Sequence, residues 1–142
     1  MVKNTTPLES KEQIWFVTWM KERGIKRLTC TLQDAELGWK AVNKYNAMGL
    51  NKGLSDLIIC LESHMTKDKK PHLIFIEMKR TKGGYESKDQ KWWRSFINSV
   101  NGDLEAVVKK GCEEAKIYIE SLLKPKLPPP SGQKLENLIN NL

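Results

Sequence analysis

PHLIFIEMKRTKGG, from Pro71 to Gly84, is an apolar run that becomes charged before it ends. Side chains on a strand alternate between faces with a period of two, so Leu73, Phe75, Glu77 and Lys79 share one face and Ile74, Ile76 and Met78 the other. Glu77 and Lys79 are therefore neighbours on a segment whose composition belongs in a core. Burying an unpaired charge costs several kcal/mol, roughly, so the two must pair, reach water or bind something. A frayed strand end or a short Glu–Lys ion pair would satisfy the first two conditions.

Outward from this strand the chain reads as alternating elements. Upstream, SDLIICLE (Ser55 to Glu62) is a second apolar run, joined to the first by the polar loop SHMTKDKK. Both runs are apolar on both faces, which predicts two central strands. Downstream, SKDQKWWRSFINSV (Ser87 to Val100) opens on a Ser-x-x-Gln capping box and sets Trp93, Phe96, Ile97 and Val100 on one helical face. LEAVVKK is a third strand and CEEAKIYIESLLK a last amphipathic helix. Near the start, SKEQIWFVTWMKER (Ser10 to Arg23) carries a second Ser-x-x-Gln box, apolar spacing at Ile14, Phe16, Val17 and Met20, and a stop at Gly24. IKRLTCTLQ (Ile25 to Gln33) has weak strand character, and AELGWKAVNKYNAMG predicts a less regular helix closing near Gly49. This order defines an α/β fold, a mixed central sheet flanked by helices.

From Pro125 the composition changes. PKLPPPSG is a polyproline-like linker, and QKLENLINNL places Leu135, Leu138, Ile139 and Leu142 on one helical face. The expected organisation is one domain over 1–124 and a tail over 125–142, a linker followed by a short amphipathic helix.

The chain has 142 residues, of which 39% are hydrophobic, enough for one core and too few for two ordinary domains. Twenty-four Lys and Arg against 17 Asp and Glu leave a net charge of +7, which favours a polyanionic partner. No apolar run approaches the roughly 18 residues of a membrane helix, and the opening MVKNTTPLESKEQ is too polar for a signal peptide, so a cytoplasmic protein with no membrane partner is expected. Cys30, Cys60 and Cys112 are widely spaced, suggesting neither a disulfide framework nor a zinc knuckle. His64 and His72 are the only histidines and lie in or beside a polar loop, which argues against sites built on several His ligands. GLNKGLS lacks the spacing of a P-loop.

One other acidic residue sits in an apolar context: Asp56, at the head of GLSDLIIC. It shares a face with Ile58 and Cys60, and the glycines of MGLNKG allow close backbone approach just before it. Two adjacent central strands could bring Asp56 and Glu77 together. Paired carboxylates repel, and a hard divalent cation such as Mg²⁺ relieves this by taking carboxylate oxygens, a backbone carbonyl and waters. Lys79 beside it could orient a water and offset charge on a phosphorane-like transition state.

Asp56 followed by Glu77-Met78-Lys79 resembles the PD-(D/E)XK nuclease superfamily, with Ser55 where proline often stands. More narrowly, GLNKGLSDLIIC, LIFIEMKR and SKDQKWW together resemble the VRR-NUC (virus-type replication-repair nuclease) family, over about Gly49 to Glu114. The resemblance implies a restriction-endonuclease-like core, dependence on Mg²⁺ or Mn²⁺, and cleavage of DNA, often at branched or flap structures. It also implies that Asp56, Glu77 and the Met78 carbonyl hold the metal, that Lys79 is the catalytic lysine and that Gln90 assists. Gln90 has a second explanation, because Ser87 to Gln90 is a complete capping box. The family tends to place an acidic residue of its first helix at the metal, and Glu9 and Glu12 compete for that position.

Lys52, Arg80, Lys82, Lys88, Lys91 and Arg94 surround these elements and could hold phosphates; an ordinary solvated lysine surface is the alternative. Trp92 and Trp93 lie among them. The spacing of Trp93 to Phe96 and Ile97 assigns it to the core, which leaves Trp92 to stack on an exposed base. A two-fold homodimer would suit a small nuclease cutting both strands of a symmetric junction. A non-catalytic nucleic-acid-binding or protein-interaction module on the same fold is the competing expectation.

Overall fold

The structure, a computed structural model, describes residues 6–31, 38–100 and 102–125. Among the described residues four α-helices, α1 (Glu9–Glu22), α2 (Trp39–Ala47), α3 (Lys88–Ser99) and α4 (Gly111–Leu122), accompany four strands, β1 (Leu28–Cys30), β2 (Leu57–Leu61), β3 (His72–Lys79) and β4 (Leu104–Lys110). The strands form one sheet in the order β1-β2-β3-β4, antiparallel at the first two junctions and parallel between β3 and β4. The expected mixed α/β architecture is present, and the weak pattern after Gly24 becomes a three-residue edge strand. The tail beyond Pro125 and the first residues of the second predicted helix lie outside the described residues.

The period of two sorts the sheet. Leu57, Ile59 and Leu61 on β2 and Ile74, Ile76 and Met78 on β3 are fully buried, packed with Phe16 and Met20 of α1 and Ala115 and Ile119 of α4. Burying each large apolar side chain contributes about 1.5–3 kcal/mol, so this face supplies most of the hydrophobic stabilisation. The opposite face is covered by α3, whose Asn98 side chain bonds both the amide and the carbonyl of Ala106 on β4. Here the expectation of strands buried on both faces is corrected. β2 and β3 are central in the sheet, but Cys60 is exposed and Ile58, Leu73 and Phe75 only half-buried, because α3 packs chiefly against β4.

Three local expectations also change. The Ser10–Gln13 box is not formed: α1 begins at Glu9, after Leu8 in extended conformation and without a side-chain cap, and Ser10 lies within its first turn. Ile14 is 62% exposed, so Phe16, Met20 and the charged Glu12 make up the buried stripe of α1. On α3 only Ile97 is buried, while Phe96 and Val100 are exposed and Trp93 is half-buried. The end of α1 follows its expected course: Gly24, at φ 93°, donates to the Lys21 carbonyl and Ile25 to that of Met20, the paired bonds of a Schellman stop.

Candidate active site

At the end of β3 the partly open face becomes polar. The register pairs Leu57 with Ile76, and carried one residue further it sets Asp56 opposite Glu77 on the same face. Asp56 is 5% exposed, and its Oδ2 accepts a hydrogen bond from the amide of Met78 at 2.7 Å. The carboxylate is thereby tied to the backbone between Glu77 and Lys79. Backbone bonds on the other side secure the same corner: Thr31 donates its amide to the Asp56 carbonyl at 2.8 Å and its hydroxyl to the Ser55 carbonyl at 2.8 Å.

Glu77 and Lys79 are both buried, and Lys79 Nζ lies 3.3 Å from Glu77 Oε1. The same oxygen accepts from Gln90 Nε2 at 2.7 Å. Gln90 simultaneously completes the box at the start of α3: its Oε1 accepts from the Ser87 amide at 2.8 Å, and its own amide donates to Ser87 Oγ at 3.2 Å. These two demands fix the side-chain amide, because the Ser87 N–H requires the oxygen and the carboxylate requires the nitrogen. One residue thus both caps α3 and bonds Glu77.

The lead-in to Asp56 holds the other side of this cluster. Gly53, at φ 94°, sits against the start of α3, where a Cβ would come within 2.5 Å of the Asp89 backbone and 2.7 Å of the Gln90 amide. The close approach that the glycines permit is thus to α3 rather than to the carboxylates. Trp93 Nε1 donates to the Lys52 carbonyl at 2.9 Å and fastens the same loop to the helix. Neither Gly53 nor Asp89 carries a sequence signal for this role beyond the glycine itself.

Glu12 is buried at the start of α4. Its Oε2 accepts from the Cys112 amide at 2.6 Å, supplying α4 with the cap that Lys110 does not provide. A helix N-terminus leaves its first amides without intrahelical partners and favours negative charge, so a buried carboxylate is stable there. Gly111 makes room: at φ 84°, its Cβ would lie 2.6 Å from Thr81 Cγ2. Cys112 itself is a free thiol whose pKa is raised by burial.

Among the described residues no group of three or more His, Cys, Asp or Glu side chains is placed to hold a metal ion. The donor set expected here is smaller, two carboxylates and the Met78 carbonyl. These are hard oxygen donors of the kind that suits Mg²⁺ or Mn²⁺ when waters complete the shell. His72 and His64 take no part. His72 Nε2 contacts Asp68 Oδ2 at 2.8 Å and holds that carboxyl down at about 2, chiefly through this hydrogen bond, while His64 lies 3.4 Å from Glu62.

The six basic residues separate into two groups. Lys52, Lys82, Lys88 and Lys91 are exposed. Arg94 forms a bidentate pair with Glu86 at 2.9 and 2.8 Å, which raises its pKa, and Arg80 is half-buried with Nη2 donating to the Thr6 carbonyl at 3.0 Å. Glu86 had no sequence signal as a partner for Arg94.

Among solved structures, one described as a VRR_NUC domain protein has the same fold, with a TM-score of 0.60 and 21% sequence identity, over 82% of this chain and 88% of that one. The chain therefore has the fold that its Asp, Glu-x-Lys and Gln motifs resembled. No family model and no curated protein matches it. Among the described residues no helix is long and apolar enough to cross a membrane.

Proposed function

We propose that this chain is a metal-dependent nuclease of the VRR-NUC kind, hydrolysing phosphodiester bonds in DNA. One observation carries it: the Asp56 carboxylate is bonded to the amide of Met78, between Glu77 and Lys79, while Gln90 reaches in from α3 to the same Glu77 oxygen. Two buried carboxylates, an amine and an amide gathered at one strand end exceed what an isolated ion pair requires. They support a site for a cation and a phosphate.

Asp56, Glu77 and the Met78 carbonyl would hold Mg²⁺ or Mn²⁺, which when bound supplies Lewis-acid chemistry and neutralises phosphate charge. Lys79, with its amine 3.3 Å from Glu77 Oε1, can donate to a water or a phosphate oxygen as negative charge develops. Gln90 acts through Glu77, fixing which oxygen faces the site, and is a positioning residue. Lys52, Lys82, Lys88 and Lys91 are the proposed phosphate contacts; Arg80 and Arg94 are already engaged and contribute less.

Purified protein incubated with plasmid and with branched DNA, in Mg²⁺ or Mn²⁺ and then with EDTA, tests this function. Nicked or shortened products that disappear with EDTA are expected. DNA binding with no cleavage in either metal would overturn the enzyme and leave a non-catalytic binding module.

A further inference from the structure

Beside the candidate site lies a cleft lined by Asn51, Lys52, Asp89, Trp92 and Trp93. Its two indoles are held differently. Trp93 is half-buried, fixed by its bond to the Lys52 carbonyl, and meets Trp92 edge-on at 5.3 Å between centroids and 87° between planes. Trp92 is 58% exposed, yet its plane is set by stacking on Phe96 at 5.3 Å and 4°. A large aromatic that is oriented by its neighbours and open to solvent is arranged to receive a flat ligand, since the ordering cost is already met within the helix.

The surroundings narrow the ligand. Lys52, Lys88 and Lys91 are exposed on this loop and helix and favour a polyanion. The Asp89 carboxylate within the cleft repels a phosphate lying there and accepts from an N–H edge. A phosphate on the lysines with its base on the indole satisfies both. A second copy of the chain fits less well, because it would bring an equally basic rim against this one.

Resting on the nuclease function proposed above, we infer that Trp92 is a stacking platform for an unpaired nucleobase of a bound DNA strand. Asp89 immediately precedes Gln90, the residue bonded to Glu77, so the cleft and the candidate site share the first turns of α3. Base stacking tolerates any sequence, because every base has a π-face.

The test titrates full-length protein in EDTA, where cleavage plays no part, with a single-stranded oligonucleotide and a duplex of equal length, reading tryptophan fluorescence and affinity. The single strand should quench the wild type, and Trp92→Ala should lose that quenching and weaken single-strand binding about tenfold while duplex binding is unchanged. Trp92→Phe, which keeps a ring on Phe96, should restore most of the affinity. Equal single-strand binding by wild type and Trp92→Ala, or no binding by either, overturns the platform. So does a wild-type dimer that Trp92→Ala converts to monomer, which would make the aromatic face a subunit contact. Metal-dependent cutting of plasmid and branched DNA by the wild type is scored separately, so the nuclease function can stand if the platform falls, and quenching without any cleavage would leave the platform and remove the nuclease.

Discussion

The two faces of the sheet carry opposite designs on the same two strands. Toward α1 and α4, β2 and β3 present Leu57, Ile59, Leu61, Ile74, Ile76 and Met78, all buried among apolar neighbours. Toward α3 they present half-covered apolar residues and then Asp56, Glu77 and Lys79, buried polar groups of which Asp56 is held by the Met78 amide and Glu77 by Lys79 and Gln90. The difference teaches where stability and chemistry are kept. Apolar burial needs only volume and shape, whereas the polar cluster depends on each hydrogen bond having its partner, and an unfinished one would cost roughly 1–3 kcal/mol.

Substitutions on each face should separate these properties, and any that moves both would blur the division. On the apolar face, Phe16→Ala should cost about 3–5 kcal/mol in denaturant unfolding while the folded fraction keeps its activity. On the polar face, Glu77→Gln or Asp56→Asn should reduce the Mg²⁺ or Mn²⁺ binding heat and lower cleavage by at least about 100-fold, with the far-ultraviolet circular dichroism unchanged. Wild-type metal binding in both would place the site elsewhere.

The start of α3 sharpens the comparison, because Ser87 and Gln90 share one capping box but only Gln90 touches Glu77. Ser87→Ala should cost about 1 kcal/mol of stability with cleavage retained. Gln90→Ala should cost a similar amount and in addition lower metal affinity or activity about tenfold. Equal activity in the two mutants would reduce Gln90 to a cap.

Charge on the proposed DNA-binding surface should produce a smaller effect. The dependence of log K on log salt should lose about 0.9 for each of Lys88 and Lys91 replaced by Gln on duplex DNA, and less for Arg94→Gln, whose guanidinium is occupied by Glu86. Equal loss for all three would show that the Arg94 pair opens on binding.

In the loop before β3, the exposed Asp68 should contribute the least. His72 depresses its carboxyl to about 2, so the stability it adds is present above the ordinary value of 3.8 and fades as pH falls through about 2. His72→Ala should remove that small acid-side difference in an unfolding titration and leave cleavage unaltered.

Much of this division is legible in the sequence, and the limits have physical causes. The period of two in LIFIEMK identifies Glu77 and Lys79 as face-mates, and the antiparallel register sets Asp56 opposite Glu77. The tetrapeptides SKEQ and SKDQ show where such reading stops. They offer the same local chemistry, but Ser87 is extended and caps α3, while at α1 the helix already runs through Ser10 and its third residue is carried off to cap α4. Glu12 finds Cys112 a hundred positions away, a partner set by the docking of α1 on α4 and invisible to any local pattern. Phe96 and Val100 have correct helical spacing for a core, yet α3 turns them to solvent, since periodicity defines a stripe without saying what covers it.

Lys79→Ala gives the most direct test of the central claim, because Lys79 is assigned to the reacting water and phosphate and not to the ion. Cleavage and metal-binding heat should be measured on the same folded preparations of wild type and mutant. The predicted result is cleavage lost with metal binding and fold retained. Cleavage by folded Lys79→Ala at the wild-type rate would contradict it.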